Sequence, residues 1–199
     1  QRVLNTANKV LRRLDVPPMD RLADLFDHFH RNPELSTVEY KTAKRMAAEL
    51  RAAGFEVTEN VGGTGVVAML ENGDGPLVMM RADMDGLPVE EKSGLENASR
   101  KTQIDPITRN EVFTMHACGH DVHITSLVGT ARQMAARRDD WSGTLMLIVQ
   151  PAEERVLGAR MMREDEIWAR FGKPDYALAF HVSSQNVAGQ VNISEGSPF

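Results

Sequence analysis

The chain has 199 residues, 42% hydrophobic and 26% charged, and its 23 Lys and Arg against 28 Asp and Glu give a formal net charge of −5. That is an ordinary composition for a globular protein. The mild acidity, without a long basic run, argues against a general nucleic-acid binder. No apolar stretch approaches the ~20 residues of a membrane-spanning helix, and the single cysteine, Cys118, excludes an intramolecular disulfide.

Val3, Ala7, Val10, Leu11 and Leu14 recur with a helical period that Pro17-Pro18 stops, so residues 1–19 read as a helical extension. A second helix is expected from about Asp20 to Arg31, before Pro33. Ser36-Thr37-Val38-Glu39 has the pattern of a capping box, with Ser capping a helix and Glu reaching back. That helix turns Ala43, Met46, Ala47 and Leu50 inward and ends at Gly54. Phe55-Glu56-Val57 alternates like a half-buried strand. Gly62-Gly63 leads into the apolar run Val66–Leu70, and Asn72-Gly73-Asp74-Gly75-Pro76 is a turn before a second run, Leu77–Met80.

From Gly86 to about Thr114 the pattern is polar and irregular, a long loop with a short strand or two. A helix from about Asp121 to Arg138, a strand over Thr144–Val149, a helix across Gly158–Arg170 and a strand over Tyr176–Phe180 follow. Val187–Ile193 reads as one more strand. Strands alternating with helices, several of them continuously apolar, predict an α/β fold. Its sheet would be mixed, largely parallel and flanked by helices on both faces.

Three of these strands run into chemically active residues. Leu77–Ala82 leads to Asp83-Met84-Asp85, Thr144–Gln150 to Glu153-Glu154, and Tyr176–Phe180 to His181. Ligands of open α/β sheets sit outside the carboxyl ends of the strands, so the coincidence points to a site. Met115-His116-Ala117-Cys118-Gly119-His120-Asp121 enters a helix and offers a thiolate and an imidazole, both good ligands for zinc and related ions. Three other readings stand beside that one. Cys118 could be a small buried hydrophobe, His116, Cys118, His120 and His123 could close a structural zinc knot, or Cys118 could be a nucleophile. Glu153-Glu154 favours a metal centre, since one carboxylate can bind metal while its neighbour faces the attacking water as general base.

Taken in order, the segments 30–36 (His-Arg-Asn-Pro-Glu-Leu-Ser), 62–67 (Gly-Gly-Thr-Gly-Val-Val), 81–88 (Arg-Ala-Asp-Met-Asp-Gly-Leu-Pro), 116–121 (His-Ala-Cys-Gly-His-Asp), 150–154 (Gln-Pro-Ala-Glu-Glu) and His181 are recognisable together. From about Asp20 onward the chain resembles the di-metal amidohydrolases, zinc-exopeptidase-like enzymes that include hippurate hydrolase, N-acyl-amino-acid amidohydrolases and plant indole-acetyl-amino-acid hydrolases. The resemblance implies an incomplete catalytic, metal-binding domain over 20–195. It would bind two divalent ions (Zn, Mn, Co or Ni) and hydrolyse a small-molecule N-acyl amino acid to a carboxylic acid and an amino acid. Cys118 would bridge the ions, with His120, Glu154 and His181 as further ligands. Glu153 would be the general base that activates the water and protonates the leaving amine. Asp85 would be the carboxylate that orients a ligand, Asp83 an outer neighbour, and His116 and Asp121 shapers of the loop.

Two departures are small: Gly86 stands where Ala is common in the family, and Val122 differs from the commoner residues at its place. The larger one concerns length. Members of the family continue through a lid and dimerisation domain and return with one more metal-binding histidine. Residues 196–199 read as the start of the linker to that lid. The other functional reading is therefore a metal-binding fragment or interaction protein, catalytically incomplete. The resemblance implies a homodimer through the lid domain, while the charge balance and the short apolar runs predict no nucleic-acid or membrane partner. Localisation stays open: a free ligand cysteine suits the cytoplasm, while a chain beginning at Gln1 also fits removal of an export signal.

Overall fold

The computed structural model describes residues 19–187 and 189–192. The expected helix over Val3–Leu14 and the linker at 196–199 lie outside them. Helix α1 spans Met19–Arg31 and α2 Tyr40–Ala52; strands β1 (Glu56–Val61), β2 (Gly65–Asn72) and β3 (Leu77–Asp83) follow. A small hairpin of β4 (Thr102–Ile104) and β5 (Glu111–Phe113) stands in the long loop. Then come α3 (His120–Ala136), β6 (Gly143–Gln150), α4 (Gly158–Glu164), α5 (Ile167–Phe171) and β7 (Tyr176–Ala179). No described helix is long and apolar enough to cross a membrane.

The five-stranded sheet has the order β1-β2-β6-β3-β7. β3 pairs in parallel with β6 and β7, whereas β2 is antiparallel to both β1 and β6. Only β2 therefore runs against the rest, which makes the sheet mixed and largely parallel, as the sequence predicts. The apolar runs of β2 and β6 are explained by burial on both faces, whereas most of β3 is half-buried and β7 is exposed. Val66, Ala68, Leu70, Leu145, Leu147 and Val149 face one core with Leu25, Phe29, Met46, Leu50 and Leu127 of α1–α3. The alternate residues Val67, Met146 and Ile148 face a second core with Met162 and Ile167 of α4 and α5. Strands covered on both sides lose the apolar–polar alternation and read as continuous apolar runs.

Helix α2 ends in a Schellman motif. Gly54 takes φ +91°, its N–H donates to Arg51 O, and Phe55 N–H donates to Leu50 O. Its start differs from the expected capping box. Neither Ser36 nor Glu39 caps the helix with its side chain; Glu34 Oε2 instead accepts from Thr42 N–H and Thr42 Oγ–H. Ser36 and Glu39 are drawn inward by stronger claims on their oxygens, described below.

Two further expectations are corrected. The helix expected over Gly158–Arg170 is broken at Asp165-Glu166. Glu166 has φ +56°, and Asp165 Oδ2 is taken by Gly62 N–H from across the chain. Among the described residues, 187 and 189–192 form no strand. Instead Gln190 N–H closes a turn onto Val187 O.

Candidate metal centre

The parallel register fixes where the chemistry gathers. Asp83 at the end of β3 pairs with Gln150 at the end of β6, and Arg81 pairs with Ala179 of β7. The chain leaves β3 for α3 on one face and β6, then crosses on the other face to β7. The carboxyl ends of these strands thus form a topological switch point. There Asp83, Asp85, Glu153, Glu154 and His181 meet the amino end of α3, which carries His120. Cys118 arrives through Gly119, whose left-handed backbone (φ +80°) begins the helix and leaves no room for a Cβ against Val182.

His120 is the hub and is fully buried. Its Nδ1 lies 3.3 Å from Asp85 Oδ1, and its Nε2 lies 3.7 Å from Asp83 Oδ1, Glu153 Oε2 and Glu154 Oε1. Among the described residues His120 Nε2 and Glu154 Oε1 have no hydrogen-bond partner although both are buried, and the same holds for His120 Nδ1 and Asp85 Oδ1, which face each other. Buried polar groups are rarely left so, unless an ion or water belongs between them. On the other side, Cys118 Sγ is 3.5 Å from His181 Nε2. Two ligands at Zn–S ~2.3 Å and Zn–N ~2.0–2.1 Å in tetrahedral arrangement are separated by about 3.5 Å. His181 Nδ1 donates to Val182 O at 2.6 Å, so in the neutral ring the lone pair lies on Nε2, which is aimed at the thiol.

The donor atoms form overlapping groups, each within 4.8 Å: Cys118, His120 and His181; His120, Glu153 and Glu154; and Asp83, His120 and His123. The third is satisfied internally. His123 Nδ1 donates to Asp83 Oδ1 at 2.6 Å and its Nε2 accepts Val182 N–H at 3.0 Å, so neither nitrogen is free for a metal. His123 fixes the loop that carries His181. A four-residue zinc knot of His116, Cys118, His120 and His123 is therefore not built.

The electrostatics call for a cation. Burial and the carboxylates of Glu154, Glu153 and Asp83 push the Cys118 thiol up to about 11. Burial, with the charges of Asp85 and Glu153, also raises Glu154 despite His120 beside it. Burial alone would lower His120, but Asp85, Asp83 and Glu154 outweigh it and raise its pKa. Burial would raise Asp83, yet the His123 hydrogen bond and the charges of His120 and Arg81 hold it at about 2. A divalent cation among these groups would reverse the shifts of Cys118, Glu154 and His120 together. The donor set and its unpaired atoms fit such ions.

The residues expected at the site are thus brought together: Cys118, His120, Glu153, Glu154, His181 and Asp85. Sequence reasoning missed the supporting roles of Ser36, Glu39 and His123. Ser36 Oγ donates to Asp85 Oδ2 at 2.6 Å, and Glu154 N–H donates to the same oxygen at 3.1 Å. His30 holds Asp121 Oδ2 at 2.7 Å and Glu91 Oε1 at 3.3 Å, joining the 30–36 segment to 116–121. The sequence marked these residues only as part of the 30–36 motif, a capping-box pattern and a zinc-knot alternative, none of which shows what their side chains hold. His116 is buried with neither ring nitrogen hydrogen-bonded among the described residues, and burial lowers its pKa to about 4.

Residues 79–196 match the family described as Peptidase family M20/M25/M40. The chain is 41% identical over 153 residues to the hippurate hydrolase of Campylobacter jejuni, covering 76% of this chain and 37% of that protein. It is 42% identical over 164 residues to thermostable carboxypeptidase 2 of Saccharolobus solfataricus, covering 80% and 38%. Among solved structures it resembles the YXEP protein of Bacillus subtilis, described as a dinuclear metal binding peptidase from the M20 family. The TM-score is 0.72 at 35% identity, over 82% of this chain and 43% of that one. The chain therefore spans less than half the length of these proteins.

Proposed function

The chain belongs to peptidase family M20/M25/M40, and from that premise we propose that it supplies the catalytic centre of a metal-dependent hydrolase of N-acyl amino acids. The observation that carries this reading is the placing of His120 between Cys118 and His181 on one side and Glu153 and Glu154 on the other. Two divalent ions are the cofactor this arrangement suits. Cys118, His120, Glu154 and His181 would hold them as the donors that this chain contributes. The neighbouring structure described as dinuclear supports the number. What such a pair supplies is a more acidic water and a polarised amide carbonyl.

The chain's own residues perform the remaining work. Glu153 is more open than Glu154, with 38% of its side chain exposed against 18%. Glu153 can therefore reach a substrate while Glu154 faces inward. As general base, Glu153 takes the proton of the attacking water on its carboxylate and returns it to the leaving nitrogen. Asp85 Oδ1 lies 3.3 Å from His120 Nδ1, and its charge would draw the ring proton to Nδ1, so that Nε2 presents its lone pair. The hippurate hydrolase relative supports a blocked amino acid as the substrate.

The test is hydrolysis of N-benzoylglycine by the full-length protein loaded with Mn²⁺, Zn²⁺ or Co²⁺, beside glycylglycine as an unblocked competitor. Release of benzoate and glycine, at least tenfold faster than cleavage of glycylglycine and abolished by a chelator, is expected. Preference for the unblocked dipeptide would overturn the specificity. Turnover that survives chelation but not thiol alkylation would replace the metal reading with a cysteine nucleophile.

A further inference from the structure

Glu39 stands at the N-cap of α2, far along the chain from Glu153, yet its carboxylate is wholly buried against the turn that carries it. Oε1 accepts the N–H of Ala152 at 2.8 Å and the N–H of Thr37 at 2.9 Å. Oε2 accepts the hydroxyl of Thr64 at 2.5 Å. Both backbone donors on Oε1 belong to non-glycine residues in the left-handed region, Thr37 at φ +74° and Ala152 at φ +46°. Such conformations are strained and persist only where surrounding contacts over-determine them. Here the shared acceptor is one of those contacts.

The rest of the turn is fastened as tightly. Ala152 O accepts the N–H groups of Leu157 and Gly158, and Gly158 packs so closely on Pro151 O that a Cβ would collide with it. Glu154 N–H is held by Asp85 Oδ2. The backbone on either side of Glu153 is thus anchored at two N–H groups, one by Glu39 and one by Asp85. The side chain of Glu153 makes no hydrogen bond to set its direction among those described; the backbone sets it.

We propose that Glu39 is a positioning residue for Glu153 and Glu154, holding their turn in its left-handed start by accepting Ala152 N–H. It touches no reacting atom. The inference rests on the reading of Glu153 as base and Glu154 as ligand, and its effect would fall on kcat rather than on KM.

The experiment compares Glu39→Gln, Glu39→Leu and Leu50→Ala in the full-length protein. Gln keeps an oxygen for Ala152 and Thr37, and its amide can donate to Thr64 Oγ, which also accepts. Leu leaves all three donors unpaired. Leu50→Ala removes a buried side chain from the same helix, away from the turn, and serves as the stability control. Amide exchange in a peptide covering 150–158 is expected to quicken at least tenfold in Glu39→Leu, and to stay within threefold of wild type in the other two.

With N-benzoylglycine, Glu39→Leu should lose at least thirtyfold in kcat with KM within threefold, and Gln should restore most of it. Equal exchange in Glu39→Leu and wild type would overturn the proposal, as would a fall in kcat shared by Leu50→Ala. A wild type that hydrolyses neither substrate would defeat the functional reading, and the exchange result would still decide whether Glu39 holds the turn.

Discussion

Replacing Asp85 with Asn changes one atom type and should weaken metal binding sharply. Asp85 Oδ2 accepts from Ser36 Oγ at 2.6 Å and from Glu154 N–H at 3.1 Å, while Oδ1 lies 3.3 Å from His120 Nδ1. An Asn can keep only one of these faces. With its oxygen toward Ser36 and Glu154, its NH₂ points at His120 Nδ1, which must then accept; the proton moves to Nε2 and the ligand lone pair is lost. With its NH₂ toward Ser36 and Glu154, Glu154 N–H meets a donor. An unpaired buried donor costs about 1–3 kcal/mol.

Either arrangement matches the roughly 10–100-fold loss of affinity seen when a ligand-orienting partner is removed. At about 1.4 kcal/mol per factor of ten, that is roughly 1.4–2.8 kcal/mol. Competition of the purified protein against a chromophoric zinc chelator measures it directly. Ser36→Ala should show a smaller loss, since Glu154 N–H still finds its acceptor. Zinc affinity unchanged in Asp85→Asn would refute the claim that Asp85 selects the His120 tautomer, and with it the orientation argument for the site.

Other consequences can be checked on the same protein. Glu153→Gln should retain its metal by elemental analysis yet lose at least a hundredfold in kcat, in the general acid–base range of roughly 10²–10⁴; near-normal turnover would remove Glu153 from the base role. Cys118→Ala should lose at least one metal ion per chain, and unchanged stoichiometry would return Cys118 to an inert packing role. Burial alone would lower the pKa of His30, but its hydrogen bond to Asp121 and the charges of Asp121 and Glu91 raise it. A raised histidine contributes stability that is fully present below its unfolded pKa of about 6.5 and is lost as pH rises through the folded value. Thermal midpoints of metal-free protein should therefore fall more steeply above pH 6.5 in wild type than in His30→Gln; parallel profiles would show that this cluster is not linked to folding.

The parts of the site that could be read from sequence are those fixed by residue type and strand position. Continuous apolar runs located the ends of β3, β6 and β7, and acids or a histidine at those ends marked Asp83, Asp85, Glu153, Glu154 and His181. The register that sets Asp83 beside Gln150 then brings those ends together. The break of α4 from α5 was not legible, because it depends on Gly62 N–H reaching Asp165 from across the chain. Glu166 in the left-handed region carries no Gly or Asn to announce it.

The capping-box reading of Ser36 and Glu39 failed for a more general reason. A capping box is a local rule, and it describes an oxygen with nothing better to accept than a nearby helix N–H. Ser36 instead meets a buried carboxylate 49 residues away and Glu39 a buried N–H 113 residues away, where no water can substitute. Since a buried group without a partner costs more than an exposed helix end left to solvent, the distant donors and acceptors win. Glu34 can take over Thr42 N–H from eight residues back, so α2 starts without using either side chain. Side chains that carry the chemistry show themselves by type. Those that aim it look like ordinary helix starts until burial reveals what they hold.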